Sequence, residues 1–276
     1  GGKILLNPSD PEAEIGHKGV GYQVQIAETC SDKNDVQLIT AALPQSGSES
    51  DMESLPKIEE KLKNEEHLPE ELFADAGYGS DENYVKSAEN GVKLIAPTAH
   101  QPKDKVGLNE CKFDEKKCIV ECPAGEKPFF RKFKNGKGRA VFFNSVCGEC
   151  PLKNKCRVQK CGKQNREFKY TDADLRTRYR RKLEATDEFK KRYGSKRCPI
   201  EGLNGRLKQF TLLRRLRIRG RCAVYHSIHA ILTMHNIMQM VRYAKIQVKK
   251  THAAVFSLFL DRVFPVFPKI RLPHAA

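Results

Sequence analysis

The cysteines of this chain are not spread along it. Seven of the ten fall between Cys111 and Cys161, in a stretch dominated by Lys, Gly and Cys. Strand and helix signals alternate before that stretch, and long charged helical segments follow it. Any fold must therefore carry a cysteine-rich insert between two parts of a different character. Ten cysteines in 276 residues are too few for a disulfide scaffold, and a cluster that includes a C-x-x-C pair points to metal before disulfides. The length suits one large domain or two small ones. A 39% hydrophobic content makes a core feasible and excludes collagen-like and coiled-coil classes. The net charge of +16 predicts a polyanionic partner, nucleic acid being the commonest, although charge alone also serves solubility.

No apolar leader is visible in Gly1 to Gly21. The longest apolar stretch, Ala223 to Val241, is interrupted by His226, Ser227, His229, His235, Asn236 and Gln239. It reads as a buried helix rather than a membrane span, with its histidines in the core or hydrogen-bonded. A cytoplasmic protein is the expectation.

Residues 1–20 are rich in turn formers, and Tyr22 to Ala27 alternates strictly, which predicts a half-buried strand. Val36 to Ala42 reads as its hairpin partner, and Asp51 to Lys63 has helical spacing at Met52, Leu55, Ile58 and Leu62. A short strand ends at Asp75, Ser80 caps a helix that stops near Asn90-Gly91, and Val92 to Ala96 is a further strand. This order implies an α/β fold with a mixed sheet, where catalytic groups collect at the carboxyl ends of strands. Residues 98–170 contain short β-like pieces at Phe129–Phe133 and Arg139–Asn144. Thr171 to Arg192 reads as one long charged helix, followed by a second helix from about Arg197 to Phe210. The divisions are 1–97, 98–170, 171–243 and 244–276, the last without a clear period.

The most informative segment runs from Tyr193 to Lys208. On a helix, Arg197, Glu201, Gly205 and Lys208 share one face, so a carboxylate is flanked by cations around a small residue. Spacing alone also fits a solvated i,i+4 ion pair. Together with the block Leu72-Phe73-Ala74-Asp75-Ala76-Gly77-Tyr78 and the stretch Gly21-Tyr22-Gln23-Val24-Gln25, however, this segment resembles the DDE-type transposases of bacterial insertion sequences. The resemblance covers roughly residues 8 to 243 and implies an RNase H-like core with the cysteine-rich β segment inserted before the C-terminal helices. It implies that Asp75 and Glu201 are catalytic ligands of Mg²⁺ or Mn²⁺, and that Tyr193, Arg197 and Lys208 serve DNA. It also implies DNA cleavage and strand transfer, a homodimer on element ends and target DNA, and a bacterial, nucleoid-associated setting without membrane.

Two departures stand out. Three residues separate Tyr193 from Arg197 where the family pattern has two, so either Lys196 takes the Arg role or the Tyr register differs. No strand with a central Asp precedes Tyr22: Asp10 lies in a proline-flanked turn, and Glu28 is on the wrong strand. The expectation is a fragment lacking the family's first Asp and of low activity. The rivals are a DNA-binding remnant without catalysis, an RNase H-like nuclease that hydrolyses without joining, and a zinc-dependent binding module on residues 98–170.

Cys122, Cys147, Cys150 and Cys156 are the candidate ligands of a structural Zn²⁺, with Cys111, Cys118 and Cys161 competing and free thiols the alternative. Cys30, Cys198 and Cys222 are expected in the core. Arg214, Arg215 and Arg217, in a run that continues to Arg219 and Arg221, are the densest candidate phosphate contacts.

Overall fold

A computed structural model describes residues 7–16, 19–98 and 106–263. Its chain forms two compact units, Gly1–Gly47 with Leu207–Ala276, and Ser48–Arg206. The architecture is mixed α/β, with the strands of the described residues divided among four sheets.

In the first unit, β1 (Glu14–Gly16), β2 (Gly19–Glu28) and β3 (Ile39–Ser46) form an antiparallel sheet in that order. The β3 strand begins three residues later than the sequence suggests and runs through Pro44, which pairs with Val24. A proline lacks an N–H for a ladder, but β3 is an edge strand and tolerates it. The residues before β3 serve the loop instead: the Thr29 hydroxyl donates to the Gln37 side-chain oxygen at 2.7 Å, and the Gln37 amide donates to the Ser31 carbonyl at 2.8 Å.

The helix later in the chain, Arg221–Val263, packs on β3. The Asn236 amide clasps Ile39, accepting from its N–H at 2.9 Å and donating to its carbonyl at 2.8 Å. The stretch expected to be a buried helix is buried on one side only. Val224, Ile228 and Leu232 face inward at i, i+4 spacing, whereas Met234, Ile237, Met238 and Val241 are exposed. The helix also continues, as far as Val263, into the stretch where the sequence shows no clear period. Among the described residues no helix is long and apolar enough to cross a membrane.

The second unit starts with α1 (Asp51–Asn64), capped by the Ser50 hydroxyl. Then come β4 (Glu71–Phe73), a 3-10 turn over Ala76–Tyr78, α2 (Asp81–Glu89) and β5 (Lys93–Ile95). The strands β4 and β5 pair in parallel, and Leu55, Leu94 and Ala96 form the core beneath them. The insert contains the hairpin β6 (Lys112–Phe113) and β7 (Ile119–Glu121), then β8 (Phe130–Lys134), β9 (Lys137–Phe143), the short helix α3 (Asn144–Glu149), β10 (Gln159–Cys161) and β11 (Asn165–Thr171). The last four strands form an antiparallel sheet, β10-β11-β9-β8, over a core of Ile119, Ala140, Phe142, Phe168 and Tyr170.

The single helix expected over Thr171 to Arg192 is two helices. The first, α4 (Asp172–Glu184), starts in a capping box between Thr171 and Asp174. The second, α5, runs Asp187–Phe210, and the helix Arg221–Val263 is hereafter α6. Thr186 makes the break, because its hydroxyl accepts the Phe189 N–H at 3.3 Å, as an N-cap does, with Asp187 and Glu188 in the first turn. Two cysteines expected in the core, Cys198 and Cys222, are exposed, and Cys30 is half-buried.

Asp81 ties α2 to α4. Its carboxylate accepts from Arg176 at 2.6 Å and from Arg180 at 2.7 Å. Burial pushes the carboxyl up, but the two guanidiniums outweigh burial and hold it below the usual range. The stability this clamp contributes is therefore full above the unfolded value near ~3.9 and is lost as pH falls through the lower folded value. Asp81→Asn should be less stable than wild type at pH 7, and the gap should close as pH drops below about 4, as read by urea unfolding across pH. In the insert, a Cβ at Gly138 would lie 2.1 Å from the Tyr170 ring, which Phe113 and Phe133 hold in place. Gly138→Ala should therefore cost about 1–3 kcal/mol in the same measurement.

Candidate active site

The site is built where α5 lies along β4 and its continuation. The Arg192 guanidinium pairs with Glu71 and stacks over Phe73, 5.7 Å from the ring centroid. The Tyr193 hydroxyl donates to the Ala74 carbonyl at 3.1 Å. Arg197 reaches Asp75, with Nη1 2.6 Å from Oδ1. Successive groups of the strand end are thus held by successive groups of the helix.

Arg197 joins the two acidic residues singled out from the sequence. Its Nε donates to Glu201 Oε1 at 2.8 Å while its Nη1 pairs with Asp75. Nη1 also donates to the Tyr193 hydroxyl oxygen at 2.8 Å. Arg197, four residues after Tyr193, stands between the acids. The hydrogen bonds to Glu201 and then Tyr193 raise the guanidinium's already high pKa further. Burial raises the Tyr193 hydroxyl, against the hydrogen bond from Arg197, so it stays protonated and able to donate to Ala74. Tyr193 also stacks on Phe189, which fixes its ring.

Asp75 owes its position to the turn that follows it. Asn83 is 4% exposed, and its amide donates to the Met52 carbonyl at 2.9 Å and the Tyr78 carbonyl at 3.0 Å. Its N–H is capped by the Ser80 hydroxyl at 3.1 Å. Gly79 passes so close to Pro97 that a Cβ would meet the Pro97 carbonyl oxygen at 2.0 Å. Sequence reading missed Arg192, the Ala74 carbonyl and the Asn83 amide. Adjacency to Tyr193 was the only signal for the first, and the other two depend on backbone that no pattern reveals.

The side chains of Asp75 and Glu201 remain more than half exposed. They are hard oxygen donors from two elements, and in this structure they share a cation. That donor set fits a divalent ion such as Mg²⁺, which is commonly bound through one or two carboxylates plus substrate phosphates. Among the described residues no group of three or more His, Cys, Asp or Glu side chains stands ready to hold a metal ion.

The remaining sequence-derived residues are not among these contacts. Lys208 is exposed on α5. In the first unit, Arg214, Arg215 and Arg217, joined by Arg219, line a cleft of ≈ 840 Å³ whose other wall is Gly19–Val24 of β2. Asp10 lies in the same cleft, 6% exposed, and accepts the Tyr22 hydroxyl at 2.9 Å. Cys122, Cys147, Cys150 and Cys156 line one cavity in the insert.

Compared with known proteins, residues 121–241 match the family model described as a transposase DDE domain. The matched stretch is under half of the chain; it contains the insert sheet and α5 with Glu201, and it begins after Asp75. No curated protein and no solved structure matches the chain.

Because Arg197 competes with any added cation for the two acids, Arg197→Gln should bind Mn²⁺ several-fold more tightly than wild type, and Glu201→Gln more weakly. Titration followed by electron paramagnetic resonance reads both. The stability change of Arg197→Gln should stay within about 1 kcal/mol, since the pairs are exposed.

Proposed function

We propose that this chain is the catalytic part of a DDE-type transposase, which cuts and joins DNA by a metal-dependent attack on phosphodiesters. The observation that carries this reading is the convergence of Asp75 and Glu201 on Arg197, from a strand end and from a helix inside the matched stretch. On this reading the strand and helix elements outside the insert belong to an RNase H-like core, the partner is DNA, and the protein acts in bacterial cytoplasm as a homodimer on element ends.

Asp75 and Glu201 would hold the divalent cation. When bound, that ion activates the attacking oxygen and offsets charge on the leaving oxygen. The chain's own part is positional. Asn83 and Gly79 fix the turn that carries Asp75. Tyr193 holds Arg197 against the same strand end. A guanidinium released from the acids is a bidentate phosphate donor, suited to a DNA backbone. The arginine-lined cleft adds sequence-independent phosphate affinity.

A second reading, binding without catalysis, is favoured by the presence of only two carboxylates on Arg197 among the described residues. The deciding assay is nicking and joining of DNA carrying the element's ends in Mg²⁺ or Mn²⁺. Product that falls at least about 100-fold in both Asp75→Asn and Glu201→Gln supports the catalytic reading. Hydrolysis without a joined strand points to a nuclease, and no product with DNA binding retained points to the second reading. Replacing Arg214, Arg215 and Arg217 together by Ala should weaken DNA binding and flatten the log-affinity against log-salt slope by about 3, measured by fluorescence anisotropy.

A further inference from the structure

We propose that Cys122, Cys147, Cys150 and Cys156 hold a structural Zn²⁺ ion in the cavity they line. Three observations carry this. First, the fold selects among the seven clustered cysteines. These four share one cavity, whereas Cys118 and Cys161 lie outside it, Cys161 taking a hydrogen bond from Arg139 at 3.2 Å. Cys111, 2% exposed in the core cluster against which Cys122, Cys147 and Cys156 pack, does not line the cavity.

Second, the thiols sit on backbone that is already turned and pinned. The Cys122 carbonyl accepts the Gly125 N–H at 2.9 Å, and Gly125 has the left-handed φ of 88° that such a turn requires. Cys147 and Cys150 lie one turn apart at the end of α3, and the Cys150 carbonyl accepts the Lys153 N–H at 3.0 Å. The Cys156 N–H closes onto the Leu152 carbonyl at 2.8 Å.

Third, size and charge match. The cavity measures ≈ 30 Å³, enough for a single ion. Four thiolates around Zn²⁺ leave a net charge of about −2, and Lys153 on the cavity wall and Arg166 beside Cys147 and Cys156 oppose it. Thiolates are soft donors that favour zinc over Mg²⁺, so this site and the carboxylate pair would take different ions. The four side chains line the cavity without yet converging on one point. Each has a single torsion to turn, and Zn–S bonds of about 2.3 Å would set it. With no open position left, the ion would be structural, joining the turn after β7 to α3 and the loop before β10.

The test is metal analysis of the purified full chain by inductively coupled plasma mass spectrometry, paired with thiol counting. The expected result is one zinc per chain, with four thiols that become reactive only when an organomercurial releases the ion. Cys150→Ser and Cys122→Ser should lose most of the zinc, while Cys161→Ser and Glu201→Gln should keep it. If the cysteine variants do not fold, Co²⁺ exchange into the wild-type chain still decides, because a tetrathiolate site gives an intense sulfur-to-cobalt charge-transfer band. Less than a tenth of an equivalent of zinc after growth in zinc, with all four thiols alkylated in the native protein, would overturn the proposal. So would iron in the site, or a disulfide among the four. Zinc content is independent of DNA cleavage, so failure here leaves the transposase reading standing, and the converse holds.

Discussion

Arg197 is the contact on which the second unit's functional geometry depends. Two carboxylates on different elements would repel one another if nothing stood between them. One guanidinium supplies donors in a fixed plane to both, and a third contact to Tyr193 sets the angle of that plane. The arrangement is exposed, so its contribution to global stability is small. Its effect is local: it holds the end of β4 and the middle of α5 at a constant separation. The neighbouring pair Arg192–Glu71 and the Tyr193–Ala74 hydrogen bond extend the same contact along the strand.

Around that contact the unit is stiff where it needs to be. Asn83 spends a buried amide on two carbonyls, one from α1 and one from the turn after Asp75, and so couples the acid to the hydrophobic core under β4 and β5. Losing such an amide would leave two part-buried carbonyls without these donors, a larger cost than the hydrogen bonds alone suggest. Rigidity below and exposure above is what a pair of acids needs to accept an ion together with a phosphate.

Much of this was legible in the sequence, for identifiable reasons. Asp75 was placed at a strand end because a short apolar run stops at Ala76-Gly77, and Arg197 and Glu201 were placed together because helical spacing makes i and i+4 neighbours. Local rules govern both. The break at Thr186 was missed because the charged pattern runs on across it, and only the capping contact to Phe189 distinguishes the position. The passage of β3 through Pro44 depends on which strand is at the edge, a property of the sheet and not of the segment. Residue type alone puts Cys198 and Cys222 in the core, yet each is exposed on its helix. The exposed side of α6 has the same origin: an apolar composition says nothing about how many neighbours the fold supplies.

The interruption between α4 and α5 has a consequence for how such a chain tolerates change. α4 is fastened to the insert, where Arg178 donates to the Leu108 and Cys111 carbonyls. Had the two helices been one rod, each residue gained or lost along it would have turned everything beyond by about 100° and swung Glu201 away from Asp75. With a capped restart at Thr186, the bearing of α5 is taken from β4 and not from α4. The insert can lengthen, shorten or shift, and the acid pair keeps its register.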